Sequence, residues 1–148
     1  MVYIACDHGG IELKAAVIAK LKAMGETVKD LGTDSAASVD YPDYGYAVAE
    51  SVAKEEAARG IVICKTGVGM SICANKVHGI RCALCTSVDM GRLCREHNNA
   101  NMLALGASNT DVNTALEIVE AFMTTEFAGG RHSNRVDKIM AHEEKYGK

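Results

Sequence analysis

A cysteine, a lysine and a threonine run straight into a glycine turn in the stretch Ile63-Cys64-Lys65-Thr66-Gly67-Val68-Gly69-Met70. A thiol next to a hydroxyl and a flexible backbone can serve as nucleophile or base, and backbone amides at such a turn converge on an anion. Ser71 follows at the head of the helical run "MSICANK", and a helix N-terminus favours a thiolate over a thiol. Two nucleotide templates fail here. A P-loop ends in Gly-Lys-Ser/Thr, and a dinucleotide fingerprint needs a third glycine where Ile72 stands. What remains is an amide cradle with a thiol on its rim, set against the plainer reading of a buried, inert Cys64 above a structural turn.

Other segments carry groups that could join it. In "CDHGG" (6–10), Asp7 and His8 place a carboxylate and an imidazole between a strand and a helix start, suited to handling protons and an anion. Asp7 could equally cap that helix, leaving His8 exposed. "HNNAN" (97–101) sets His97 and Asn98 in a dense polar run beside the apolar "MLAL"; a loop cap is the competing reading. Arg131 and Arg135 in "GGRHSNR" lie four residues apart, on one face if helical, where two guanidiniums suit a phosphate and a solvated basic face is the alternative. "DYPDY" (40–44) holds the only proline, Pro42, placed to open a helix, with Tyr41 available to line a pocket. Cys82 and Cys85 have Cys-x-x-Cys spacing, but a strand points them to opposite faces and no second ligand pair follows, so no metal site is expected.

These groups need a scaffold. Strand-like runs at 2–5, 27–31, 60–64, 80–85 and 101–106 alternate with helical patterns such as Leu13, Val17, Ile18, Leu21, Met24 and Val112, Ala115, Leu116, Val119, Phe122, Met123. Gly25 and Gly60 read as stops for the first two helices, and a polar helix is expected at about 133–146. Strands joined by helices imply right-handed crossovers and a parallel sheet covered on both faces, an α/β three-layer sandwich. Ligands in such sheets sit beyond the carboxyl ends of the strands. Asp7, His8 and Thr66 are expected there, and His97 to Asn101 are grouped with them.

The totals bound the answer further. The 148 residues suit one domain, with 48% hydrophobic, 24% charged and 5% aromatic residues. A net charge of -3 gives no electrostatic reason to expect nucleic acid, so the ligand should be small. No apolar run reaches the roughly 18 residues of a membrane span. Met1 leads into a strand and not a signal segment, and the six cysteines sit mostly in apolar stretches, so a cytoplasmic protein with reduced thiols is expected.

Taken in order, "CDHGG", "DYPDY", "CKTGVGMSICANK", "GIR", "HNNANML" and "GGRHSNRV" resemble the sugar-phosphate isomerases of the ribose-5-phosphate isomerase B and galactose-6-phosphate isomerase family over nearly the whole chain. The resemblance implies a five-stranded Rossmann-like sheet and interconversion of aldose and ketose phosphates through a cis-enediol, with no metal or other cofactor. By position, Cys64 becomes the base moving a proton between C2 and C1. Thr66 and the amides from Gly67 through Gly69 to Ser71 would hold the enediolate. His97, helped by Asn98, would open the sugar ring, and Asp7 would exchange protons with hydroxyls. His8, Arg131 and Arg135 would bind the phosphate, and Tyr41 would line the pocket.

The resemblance also implies a homodimer or homotetramer whose sites are shared between chains, the C-terminal helix packing on a partner subunit. Some members carry a glutamate base where this chain has Met70, which leaves Cys64. Three departures stand out: Lys65 and Ala5 at usual glycines, and Ser108 at a usually basic position. Lys65 either supplies phosphate-binding charge or points to solvent. Ribose 5-phosphate is the expected substrate, with allose or galactose 6-phosphate, or a non-catalytic sugar-phosphate sensor, as the alternatives.

Overall fold

The computed structural model describes residues 1–147. Five strands, β1 (Val2–Cys6), β2 (Val28–Asp30), β3 (Arg59–Cys64), β4 (Cys82–Leu84) and β5 (Met102–Gly106), form a wholly parallel sheet in the order β2-β1-β3-β5-β4. Between and after them run α1 (Ile11–Ala23), α2 (Tyr41–Ala53), α3 (Val68–Asn75), α4 (Val88–Glu96), α5 (Val112–Thr124) and α6 (Arg131–Tyr146). The strand order reverses between β1 and β3, so the crevice beyond their carboxyl ends is the switch point where such sheets take ligands.

The central strands alternate cleanly between two apolar layers. Val2, Ile4, Cys6, Ile61, Ile63, Leu103 and Leu105 face α1, α4 and α5, where Leu13, Val17, Leu21, Ile118 and Phe122 complete one core. Ala5, Val62, Cys64, Met102 and Ala104 face α2 and α3, meeting Val48, Val52, Met70 and Ala74. Each fully buried large side chain contributes about 1.5–3 kcal/mol, so a one-residue slip of β3 would forfeit several such contributions at once. The pleat therefore pins Cys64 to the α2/α3 face. The same alternation separates Cys82 from Cys85, which belong to opposite layers.

Three sequence expectations need correction. Gly60 does not stop a helix: α2 ends at Ala53 with Lys54 as its C-cap, while Gly60 is buried in β3, where an added Cβ would sit 2.8–2.9 Å from Val52, Met102 and Val48. Its missing side chain lets α2 close on the sheet. The last helix begins at Arg131 rather than 133, on Gly130 with φ +59, so both arginines are helical. Most of it is exposed; Val136 is buried, and Glu143 Oε2 accepts from the Gly79 amide at 2.9 Å. The third concerns His97. Helix α4 starts after the carboxyl end of β4 and returns the chain to the amino end of β5, so His97 to Asn101 lie at the opposite edge of the sheet from Cys64.

Candidate active site

Asp7 and Cys64 end up side by side because β1 and β3 pair in register. Cys6 stands opposite Ile63, and the Asp7 amide donates to the Ile63 carbonyl at 3.1 Å. Asp7 is buried, and its Oδ1 accepts from the Gly9 amide at 2.9 Å. It is not the cap of α1, whose N-cap is Gly10 with no side-chain bond. Its second oxygen is left for chemistry.

Beyond Cys64 the chain turns through Gly67, at φ +79, to start α3. Only glycine fits: an added Cβ would lie 2.6 Å from Leu84 Cδ1 and 3.0 Å from the Leu105 carbonyl carbon. The turn aims the Gly67 amide at Cys64 Sγ, 3.1 Å away, so a backbone dipole supports negative charge on that sulfur. The Val68 amide donates to Thr66 Oγ1 at 3.3 Å, leaving the threonine proton free to donate. Gly69 and Met70, next in α3, have amides without an intrahelical acceptor. Ser71 departs from expectation: its amide donates to the Gly67 carbonyl at 3.0 Å and its hydroxyl to the Val68 carbonyl at 2.8 Å, so both are engaged inside the turn.

Three neighbours shape this cradle. Tyr41, at the head of α2, lies against Gly69, where a Cβ would meet its Cε1 at 2.5 Å. The segment after β5 holds the turn from behind: Ala107 and Ser108 amides donate to the Cys64 and Lys65 carbonyls, both at 2.9 Å, and Asn109 Nδ2 to the Thr66 carbonyl at 3.1 Å. His8 is exposed, and its Nδ1 accepts from the Val39 amide at 3.2 Å, which puts the ring proton on Nε2. Met70 is fully buried among apolar side chains. Lys65 is exposed with its stem beside Gly9, Ser108 is exposed, and Ala5 is buried on the α2/α3 face.

The remaining candidates form a second group at the amino edge. His97 ends α4, half-buried and stacked on His132 with ring centroids 4.3 Å apart and planes 16° off parallel. His132 stands inside "GGRHSNR", but a stack has no spacing signature by which the sequence could reveal it. Burial first, then His97, Arg131 and Arg135, push the His132 imidazole below its ordinary value of 6.5. Asn98, Arg131 and Arg135 are exposed, and neither arginine makes an ion pair among the described residues. β5 alone spans about 16 Å at 3.3 Å per residue, which keeps this group away from Cys64 of its own chain. Each chain thus carries two polar groups at opposite edges of its sheet. No group of three or more metal-ligating side chains occurs among the described residues.

Comparison with known proteins finds matches along nearly the whole chain. The family model described as Ribose/Galactose Isomerase matches residues 2–139. Ribose-5-phosphate isomerase B of Escherichia coli is 42% identical over 144 residues, 97% of each chain. Among solved structures, ribose-5-phosphate isomerase B of Clostridium thermocellum superposes with a TM-score of 0.95 at 52% identity, covering 98% of both chains. The Mycoplasma genitalium enzyme with bound ribulose-5-phosphate gives 0.95 at 40% identity, covering 97% of this chain and 96% of that one. Matched across almost its whole length by the family model and by relatives at 40% identity or more, the chain belongs to the ribose/galactose isomerase family.

Proposed function

We propose that the chain interconverts ribose 5-phosphate and ribulose 5-phosphate through a cis-enediolate, with Cys64 as the base. The observation that carries this reading is the Gly67 amide directed at Cys64 Sγ, beside the buried Asp7 carboxylate. The Cys64 thiolate takes the C2 proton of the open-chain aldose, the C2–H electron pair forms the C1–C2 double bond, and the carbonyl oxygen becomes an oxyanion. The Thr66 hydroxyl and the Gly69 and Met70 amides donate to that oxygen. The thiol then returns the proton to C1, while Asp7 moves a proton between the two substrate oxygens.

Ring opening and phosphate binding fall to the second group. His97 passes a proton to the ring oxygen with Asn98 holding the sugar, and Arg131 and Arg135 meet the phosphate, joined by His8 through Nε2–H. Because His97, Asn98, Arg131 and Arg135 lie at the far edge of their own sheet, a second copy supplies them, so the active form is a homodimer or an assembly of such dimers. The enzyme works in the cytoplasm; all six cysteines are free thiols.

A pentose phosphate is favoured by the ribulose-5-phosphate bound in the Mycoplasma genitalium relative. A hexose 6-phosphate is the second reading, since the matched family includes galactose isomerases. A coupled assay across ribose 5-phosphate, allose 6-phosphate and galactose 6-phosphate tests both. The highest kcat/KM is expected for ribose 5-phosphate. A hexose phosphate with the higher value would replace it as substrate, and turnover of none would end the catalytic reading.

A further inference from the structure

The loop between α4 and β5 carries His97 and Asn98, and it is held by more than its own turn. Asn99 adopts φ 48, the only positive φ outside glycine among the described residues. This left-handed conformation carries a steric cost for a side-chain residue, so surrounding contacts must hold it. Two arginines do. Arg95, buried, donates from Nη1 to Asn99 Oδ1 at 2.9 Å and to the Ala100 carbonyl at 2.6 Å. Arg81, just before β4, donates from Nε to the Asn98 and Asn99 carbonyls at 3.2 and 3.0 Å and from Nη2 to the Asn99 carbonyl at 2.8 Å.

Arg81 is fixed in turn. Its amide donates to Asn101 Oδ1 at 2.8 Å, and its carbonyl accepts from the Asn101 amide at 3.0 Å. Its Nη1 lies 3.3 Å from Met140 Sδ in α6, the helix that begins with Arg131 and Arg135. One guanidinium therefore touches both the loop bearing His97 and Asn98 and the helix bearing the two exposed arginines. Neither Arg81 nor Arg95 makes an ion pair among the described residues; the Arg81 guanidinium meets backbone carbonyls and a thioether, that of Arg95 backbone carbonyls and a carboxamide. A turn with no task beyond joining α4 to β5 needs only a glycine at position 99.

We propose that Arg81 is a positioning residue for ring opening: its planar fork fixes the carbonyls of Asn98 and Asn99 and so sets where His97 and Asn98 meet the sugar. A lysine places one ammonium where Arg81 spans two carbonyls and cannot reproduce the fork. The inference rests on the reading of His97 and Asn98 as the ring-opening pair. Its consequence is specific, because ribose 5-phosphate enters as a ring and ribulose 5-phosphate, with C5 phosphorylated, is an open chain.

The test compares two rates in one preparation of Arg81→Gln and of Arg81→Lys. One is turnover of ribose 5-phosphate. The other is wash-in of solvent deuterium at C1 of ribulose 5-phosphate, which needs the Cys64 half and the phosphate-binding arginines but no ring step. The ratio of the two is independent of the fraction of protein folded. In Arg81→Gln the ratio should fall at least about tenfold from wild type, with a smaller fall in Arg81→Lys. A ratio within about twofold of wild type in both variants, or in the lysine variant if the glutamine one is insoluble, would overturn the proposal. Wild-type protein that turns over neither sugar would instead refute the isomerase reading on which the proposal stands.

Discussion

At the scale of single residues, Cys64 carries the account. Its sulfur receives a backbone amide, sits beside Asp7 and has no carboxylate substitute, since Met70 is sealed in the α2/α3 core. Cys64→Ala should lower kcat by about 10³-fold or more while ribose 5-phosphate still binds, because the cradle and phosphate groups remain. Steady-state kinetics with calorimetric titration checks both halves, and a variant keeping most of its turnover refutes the assignment. Cys64, Thr66 and Asp7 were legible because their types sit next to glycines after strand-like runs. Arg81 was not, although "GIR" is part of the pattern: its partners are backbone carbonyls, which leave no trace in side-chain spacing. The place of Ser71 in the turn suggests a donor to ligand, yet helix geometry uses both of its donors locally.

At the scale of elements, the cradle depends on how closely β5 approaches the turn after β3. An added Cβ at Gly106 would stand 2.5 Å from the Thr66 carbonyl oxygen, a backbone atom that cannot swing aside. Gly106→Ala should cost about 1–3 kcal/mol in stability and about 100-fold in kcat/KM, through displacement of Thr66. Denaturant melts paired with kinetics separate the two losses.

On the other side of the sheet, Lys14 anchors the chain after β2. It is buried, and its Nζ donates to both Asp30 oxygens at 2.8 and 3.0 Å, to the Thr33 carbonyl at 2.9 Å and to Asp34 Oδ1 at 3.3 Å. Lys14→Met should cost about 2–3 kcal/mol, the low end for a broken buried pair because Asp30 keeps about a third of its surface in water. Burial pulls the ammonium down, but Asp30 and Asp34 outweigh it and the net shift is above 10.5. This contribution is therefore complete below pH 10.5 and lost as pH rises through the raised value. Wild type and variant should therefore approach one another in melting temperature as the pH rises through that alkaline range. The strands and helices were readable from periodicity, but Lys14 looks like any polar position on a helix, and nothing local announces Asp30 across the layer.

At the scale of the whole molecule, topology decides what one chain can do alone. Parallel strands put every strand-to-helix loop at one edge of the sheet and every helix-to-strand loop at the other. Cys64, Thr66, Asp7, His8 and Tyr41 belong to the first, and His97, Asn98, Arg131 and Arg135 to the second. Grouping His97 with the carboxyl-edge loops failed because it precedes β5, a distinction that residue types do not encode. The central claim is that a complete site draws one half from each of two chains. Cys64→Ala and His97→Asn chains, each inactive alone, should be co-expressed and assayed with ribose 5-phosphate. Random pairing makes half the dimers mixed, each with one intact site of two, so about a quarter of wild-type activity should return. No activity above that of the separate variants would contradict the shared site.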